Sequence, residues 1–264
     1  MMAELMGYES RKQFLQKVVK LIPKEASTVL DIGCGVGLVG SLIVEQIPKA
    51  SIVGMDMSWH MLTHQVSSPN MTSSSLVQAR APKLPFKKNS FDAVVAVQFL
   101  SEVFCFSGTE GFLDTIKQVK RVLKEGGVLV VLDHQNPGEG SIELKLPQDM
   151  IEKLRLFQTL FQVRNIAFEA LPNSWTRITL RDLYDFLTKV WSFGTALEEE
   201  EMQESHTPFT GEEFSNLLIQ NGFSVNCVDG VVEFENYLGR YNIDIQQTAS
   251  LPNRYLIVSA FYKE

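Results

Sequence analysis

Cysteine is scarce in this 264-residue chain: Cys34, Cys105 and Cys227 are the only three. Their odd number and wide spacing exclude a disulfide framework and a thiolate metal set. Long apolar runs are missing too, and none approaches the ~18 residues of a membrane span. Met1-Met2-Ala3-Glu4-Leu5-Met6 has no basic stretch ahead of an apolar core, so neither a signal peptide nor a membrane partner is expected. Positive charge is in deficit, with a net charge of −7. Residues 136–222 alone hold 14 acidic and 7 basic side chains, which leaves the rest of the chain balanced at 17 of each. A nucleic-acid surface needs the opposite sign to displace counterions from phosphates, so no nucleic-acid partner is expected. A reducing, cytoplasmic setting fits these absences, and the oligomeric state is not legible.

Against that background, one stretch stands out: Thr28-Val29-Leu30-Asp31-Ile32-Gly33-Cys34-Gly35-Val36-Gly37-Leu38-Val39-Gly40. An aliphatic run ends beside an acid, four glycines follow, and helical spacing begins at Leu38. This predicts a strand, a tight turn and a helix start, with free N–H groups at the helix end to receive polar or anionic ligand groups. Gly35, Gly37 and Gly40 also satisfy the dinucleotide fingerprint G-x-G-x-x-G, with Asp56 at a suitable distance. Asp31 opposes that match, because its carboxylate would face a pyrophosphate. It suits a ligand that presents an ammonium group.

Further along, Ser51–Asp56 reads as a second strand ending in an acid, and Asp56 can accept both hydroxyls of a ribose. Asp56 or Ser58 can equally cap the helix Trp59–Val66. A third short strand is expected at Leu76–Arg80. Ala81-Pro82-Lys83-Leu84-Pro85-Phe86 is a turn leading to Phe91-Asp92 and an apolar fourth strand that closes at 97–102. Glu110–Leu123 has helical spacing, Gly126-Gly127 is its stop, and Val128–Asp133 is a continuous aliphatic fifth strand typical of a parallel sheet.

The first turn, Asp56, the Leu84-Pro85-Phe86 turn and the Gly126-Gly127 strand entry together resemble class I S-adenosylmethionine-dependent methyltransferases. The resemblance implies a single domain over 1–264. Its α/β fold is a doubly wound, seven-stranded, mostly parallel sheet with an antiparallel last strand. The core would be 1–135 and 223–264, and 136–222 a helical substrate lid inserted after the fifth strand. It implies S-adenosyl-L-methionine as cofactor, cradled at its methionine end by Asp31, Gly33 and Gly35. Asp56 would hold the ribose and Met57 would pack on the adenine. Many members carry an acid after the third strand. Arg80 stands there instead, which leaves adenine recognition to the backbone of Arg80 and Ala81. The backbone at Val97 and Gln98 would touch the methionine end, with Phe99 on the substrate side. A helix before the core often covers the cofactor in this family, which makes Tyr8 and Arg11 contact candidates, although a solvated first turn is the default reading of both.

In the insertion, Pro147–Arg164 and Thr179–Phe193 read as long helices, and Thr179 to Asp182 as a capping sequence. Tyr184 and Trp191 are its substrate-side candidates, although its aromatic content matches the chain average and helix core is the default. Metal ligands are not expected. His134, just after the fifth strand, is the candidate general base for a neutral oxygen or nitrogen acceptor. His206 is second, and His60 and His64 belong to a surface helix. Three readings stay open: a small-molecule methyltransferase, a non-catalytic S-adenosylmethionine-binding or interaction protein, and an NAD-dependent oxidoreductase.

Overall fold

The computed structural model describes residues 12–66, 74–206, 208–233, 238–245 and 251–263. Tyr8 and Arg11 lie outside the described residues, as does most of the loop 67–75. The described chain divides into two compact units. The first takes in Met1–Asp133, Glu213–Asp229 and Leu256–Glu264, and the second His134–Glu212 and Gly230–Tyr255.

A seven-stranded sheet organises the first unit. Its strands are β1 (Thr28–Ile32), β2 (Ser51–Asp56), β3 (Ser74–Gln78), β4 (Phe91–Val97), β5 (Leu123–His134), β9 (Phe223–Glu233) and β11 (Asn253–Tyr262). Their order is β3-β2-β1-β4-β5-β11-β9, with six strands parallel and one antiparallel. Val29, Leu30 and Ile32 in β1 and Ala93 to Ala96 in β4 are wholly buried, as strands covered on both faces must be. The helices of this unit are α1 (residues 12–20), α2 (Leu38–Gln46), α3 (Trp59–Val66), α4 (Leu100–Val122) and part of α8 (Gly211–Gln220).

At the N-terminal side of β1, Asp92 Oδ2 accepts from the Ser27 and Thr28 backbone N–H groups at 3.0 and 2.9 Å. Lys124 Nζ donates to its other oxygen at 2.8 Å. These bonds join the starts of β1, β4 and β5 and hold that edge of the sheet in register. Partial burial pushes the Asp92 carboxyl up. The bonds from Lys124, Ser27 and Thr28 outweigh burial and leave it below the usual carboxylate range.

Around α4, two boundaries differ from the sequence reading. β4 ends at Val97, and residues 98–102 turn into α4 instead of continuing the strand. The helix expected from Glu110 begins at Leu100, because Gly108 interrupts it (φ 62°, ψ −169°) without ending it. An uninterrupted helical period therefore shows only beyond Gly108.

The second unit holds α5 (Gln148–Leu160), α6 (Leu180–Lys189) and the short α7 (Glu198–Glu201). It also holds a four-stranded sheet of β6 (Ser141–Lys145), β7 (Phe168–Ala170), β8 (Trp175–Thr179) and β10 (Asp244–Ile245), in the order β10-β6-β8-β7. The region expected to be helical thus combines helices with a sheet, and residues 230–255 contribute to it. β8 carries the alternation of a half-buried strand, with Thr176 and Ile178 inward and Arg177 outward. Its period is hidden in sequence because β8 runs directly into the cap of α6, where Thr179 Oγ1 accepts from the Asp182 N–H.

Candidate functional site

The turn after β1 closes on β2. The Gly33 and Cys34 N–H groups donate to Met55 O at 2.7 and 3.1 Å, and Gly37 N–H to Cys34 O at 2.9 Å. Gly33 sits at φ +69°, and any Cβ there would strike the ring of Phe99. Glycine at this position is therefore required twice, by conformation and by space. Gly35 N–H donates to Asp56 Oδ2 at 2.9 Å, and Ser58 N–H donates to Asp56 Oδ1 at 2.8 Å. Each Asp56 oxygen has one donor, which leaves a lone pair on each for a diol. The acid is at once a brace for the glycine turn and a local cap for the chain entering α3.

Asp31 is 2% exposed, and its Oδ2 meets no hydrogen-bond donor among the described residues. Burial pushes its carboxyl up to about 7; the Gly40 backbone N–H pulls it down, and the charge of Asp56 pushes it up further. A buried carboxylate oxygen without a partner is costly, and a cationic donor seated here would relieve that cost. The ammonium end of S-adenosylmethionine has the right charge and hydrogen-bonding character.

β4 and β5 supply the next residues. Gln98 holds φ +51°, uncommon for a side-chain-bearing residue, and its N–H donates to Leu132 O at 2.7 Å. That bend brings Phe99 against Gly33. Asp133, at the end of β5, accepts from the Ser101 N–H at 2.9 Å and the Ser101 hydroxyl at 2.6 Å. It caps α4 from a neighbouring strand, an anchor that no local sequence signal announces. Val97 is half-buried. Ala81 is buried and Arg80 exposed, with Arg80 O accepting from Lys83 N–H at 3.2 Å. Met57 is exposed, and its carbonyl accepts from Gln78 Nε2 at 3.1 Å.

The first unit therefore gathers Asp31, Gly33, Gly35, Asp56 and Phe99 around one turn, through the contacts just described. The remaining expected residues divide. Tyr184 requires correction as a substrate-side residue: it is 1% exposed, in the core of the second unit, and its hydroxyl donates to Pro252 O. Aromatic spacing on a helix cannot reveal such an internal carbonyl partner. Trp191 is exposed in a short turn after α6. His134 is buried in the second unit with its ring stacked on His206, and His60 and His64 are exposed on α3. His206, Lys189, Glu201 and Glu204 form a cluster that sequence spacing does not expose.

Residues 30–131, all within the first unit, match the model of a family described as a methyltransferase domain. The demethylmenaquinone methyltransferase of Staphylococcus carnosus is 29% identical over 136 residues, covering 50% of this chain and 54% of that protein. The chain thus spans about half the length of the curated relatives it matches. Among solved structures, an S-adenosylmethionine-dependent methyltransferase from Mesorhizobium loti aligns with a TM-score of 0.57 at 19% identity, covering 93% of this chain and 95% of that one. The [4+2]-cyclase SpnF aligns with a TM-score of 0.55 at 15% identity, over 94% of this chain and 80% of its own.

Residues 30–131 thus carry the match to a methyltransferase domain, and the seven-stranded sheet has the fold of solved S-adenosylmethionine-dependent methyltransferases. The cofactor of that class is S-adenosylmethionine.

Proposed function

We propose that this chain transfers the methyl group of S-adenosylmethionine to a small-molecule acceptor, at oxygen or nitrogen, by in-line displacement. The observation that carries this reading is Asp31, a buried carboxylate with an unpartnered oxygen beside a glycine turn. It favours an ammonium-bearing cofactor over the pyrophosphate of NAD. Bound S-adenosylmethionine supplies an electrophilic methyl group.

In this reading Asp31 accepts from the ammonium group, and Gly33 and Gly35 leave room for the methionine end. Asp56 accepts the ribose hydroxyls while Gly35 N–H fixes its orientation. Met57 covers the adenine, and the backbone at Arg80 and Ala81 reads its edge. Val97 and Gln98 line the methionine end through their backbone, and Phe99 borders the reacting methyl. Such alignment supplies most of the rate enhancement, because a well-oriented displacement gains about 7–11 kcal/mol from proximity. His134 takes the proton of a neutral acceptor, a contribution of roughly 10²–10⁴-fold. A pre-ionised acceptor bypasses that step. We assign acceptor binding to the second unit, with Trp191 as its exposed aromatic.

The family match lies wholly in the cofactor-binding unit, so the relatives' acceptor does not transfer with it. A demethylated quinone is still the first compound to assay, because those relatives are named for one. The alternative is a protein that binds S-adenosylmethionine without methylating anything. It draws support from the cyclase neighbour, which has the fold under another reaction name.

Calorimetry with S-adenosylmethionine, S-adenosylhomocysteine and NAD tests the cofactor: tight NAD binding without the sulfur ligands would overturn it. Transfer of a radiolabelled methyl group into a cell metabolite extract tests the reaction. Binding with no labelled product would favour the alternative.

A further inference from the structure

The second unit buries an unusual set of charges. On α6, Asp182, Asp185 and Lys189 are all buried, and the Lys189 side chain has no exposed surface. Lys189 Nζ lies 2.9 Å from Glu201 Oε2, 3.7 Å from Glu204 Oε1 and 3.1 Å from His206 Nε2. Glu201, Glu204 and His206 have the composition of a divalent-cation site. The ammonium group of Lys189 already lies in contact with all three, so the chain supplies its own cation there. His206 is held elsewhere as well. Its Nε2 is 3.3 Å from Glu204 Oε1, and its backbone N–H donates to Asp185 Oδ1 at 3.3 Å.

Such a cluster is a poor stabiliser, since desolvation of buried ions offsets most of their attraction and apolar side chains often pack as well. What it achieves that an apolar cluster would not is a fixed imidazole at position 206. That ring stacks on His134 with centroids 4.8 Å apart and planes 16° apart. Tyr255 meets His134 with a tilt of 46°, also at 4.8 Å. The chain beyond His134 is laced to the same neighbourhood, with Asn136 N–H donating to Phe209 O at 2.8 Å and Gln135 N–H to Arg254 O at 3.0 Å.

We propose that His206 is a positioning residue for His134: the Lys189–Glu201–Glu204 cluster anchors the His206 ring, and the stacked ring sets the plane of the candidate base. This inference rests on the reading of His134 as general base. In this role His206 acts through His134, with its own Nε2 held between Lys189 and Glu204.

The test is nitrogen-15 and proton NMR of the imidazole groups in the full chain, comparing wild type with His206→Leu, His206→Gln and His206→Phe. In wild type the His134 ring protons are expected upfield, from the ring current of His206, with one dominant tautomer. His206→Leu is expected to abolish that displacement and mix the tautomers, whereas His206→Phe retains a stacked ring and restores the displacement. His206→Gln keeps a polar contact without a ring, so it gives the same reading as Leu if the Leu variant does not fold. Unchanged His134 resonances in a folded, ring-less variant would overturn the positioning role.

With tritiated-methyl S-adenosylmethionine and a metabolite extract, His206→Leu is expected to transfer at least tenfold more slowly, with cofactor affinity within twofold. His206→Phe should recover most of that loss, and a Phe variant as slow as Leu would count against the inference. Full transfer by His134→Gln would instead remove the base reading beneath it, whatever the NMR spectra show.

Discussion

The two units hold contrasting examples of buried charge. In the first, Asp31 has a carboxylate oxygen that no described donor meets. In the second, Lys189 is paired with Glu201 and Glu204, and Arg164 with Asp182 and Asp185 at 2.9 and 2.6 Å. The open oxygen of Asp31 leaves room for a donor from outside the chain. Internally matched charges are complete before any ligand arrives. The difference supports the proposed placement of the cofactor at Asp31 in the first unit.

The sharpest way to break this contrast is Phe157→Ala, which empties a fully buried site in the second unit. A loss of about 3–5 kcal/mol is expected from the lost burial and the cavity. S-adenosylmethionine affinity should stay within about twofold, as measured by urea unfolding and calorimetry. A large fall in affinity of the folded variant would show that the second unit helps to hold the cofactor.

Next in size is Asp31→Asn, which keeps the shape and removes the charge. Cofactor affinity should drop about 30–100-fold, the value of a buried charge-assisted hydrogen bond. Because the folded carboxyl is raised to about 7, the native state of the ligand-free protein holds a proton that the unfolded state releases from about pH 4 upward. Wild-type stability from this group therefore declines as pH rises from about 4 to 7. The Asn variant should have the higher melting temperature at pH 8 without ligand, and a lower one there would refute the account. For the same reason, wild-type affinity for the cationic cofactor should rise as pH increases through 7.

Asp56→Ala should weaken binding more than tenfold and also loosen the turn, since two backbone donors lose their acceptor. Calorimetry checks the first effect and differential scanning the second. Unchanged affinity would remove the ribose assignment.

The smallest effect expected is that of Asp92→Asn, far from either ligand. Its carboxyl is held low by Lys124, Ser27 and Thr28, so its contribution is present above about pH 4 and is lost as pH falls below that. The variant should lose about 1 kcal/mol at pH 7, a value reduced by solvent screening, and converge on wild type in acid. A constant difference across the acid range would argue against this ionic origin.

Much of the first unit was legible because local signals there agree with one another. Aliphatic runs with no polar face mean a sheet covered on both sides, and glycines cluster where the chain must turn beneath a ligand. Asp56 ends β2 and Asp31 stands one residue before the end of β1, where a strand gives way to a turn. The second unit hid its organisation for an equally physical reason. Asp182, Asp185 and Lys189 are buried on α6 and satisfied by Arg164, Glu201 and Ser205, 12 to 21 positions away in sequence. Tyr184 misled in the same way, since its partner Pro252 stands 68 positions along the chain. Pairing at such range leaves no period to detect.

The break at Gly108 bears on how this architecture can vary. A residue at φ 62° and ψ −169° lies in backbone territory that side chains scarcely enter, so α4 is two rods joined by a glycine joint. The rod after the joint carries Phe112, Ile116, Val119 and Val122 into the core. The rod before it starts at Phe99 and is clasped by Asp133 through Ser101. Leu100, Ser101 and Val103 are buried, so the remaining positions before the joint are the ones that can vary beside the glycine turn while the rod after it stays in place.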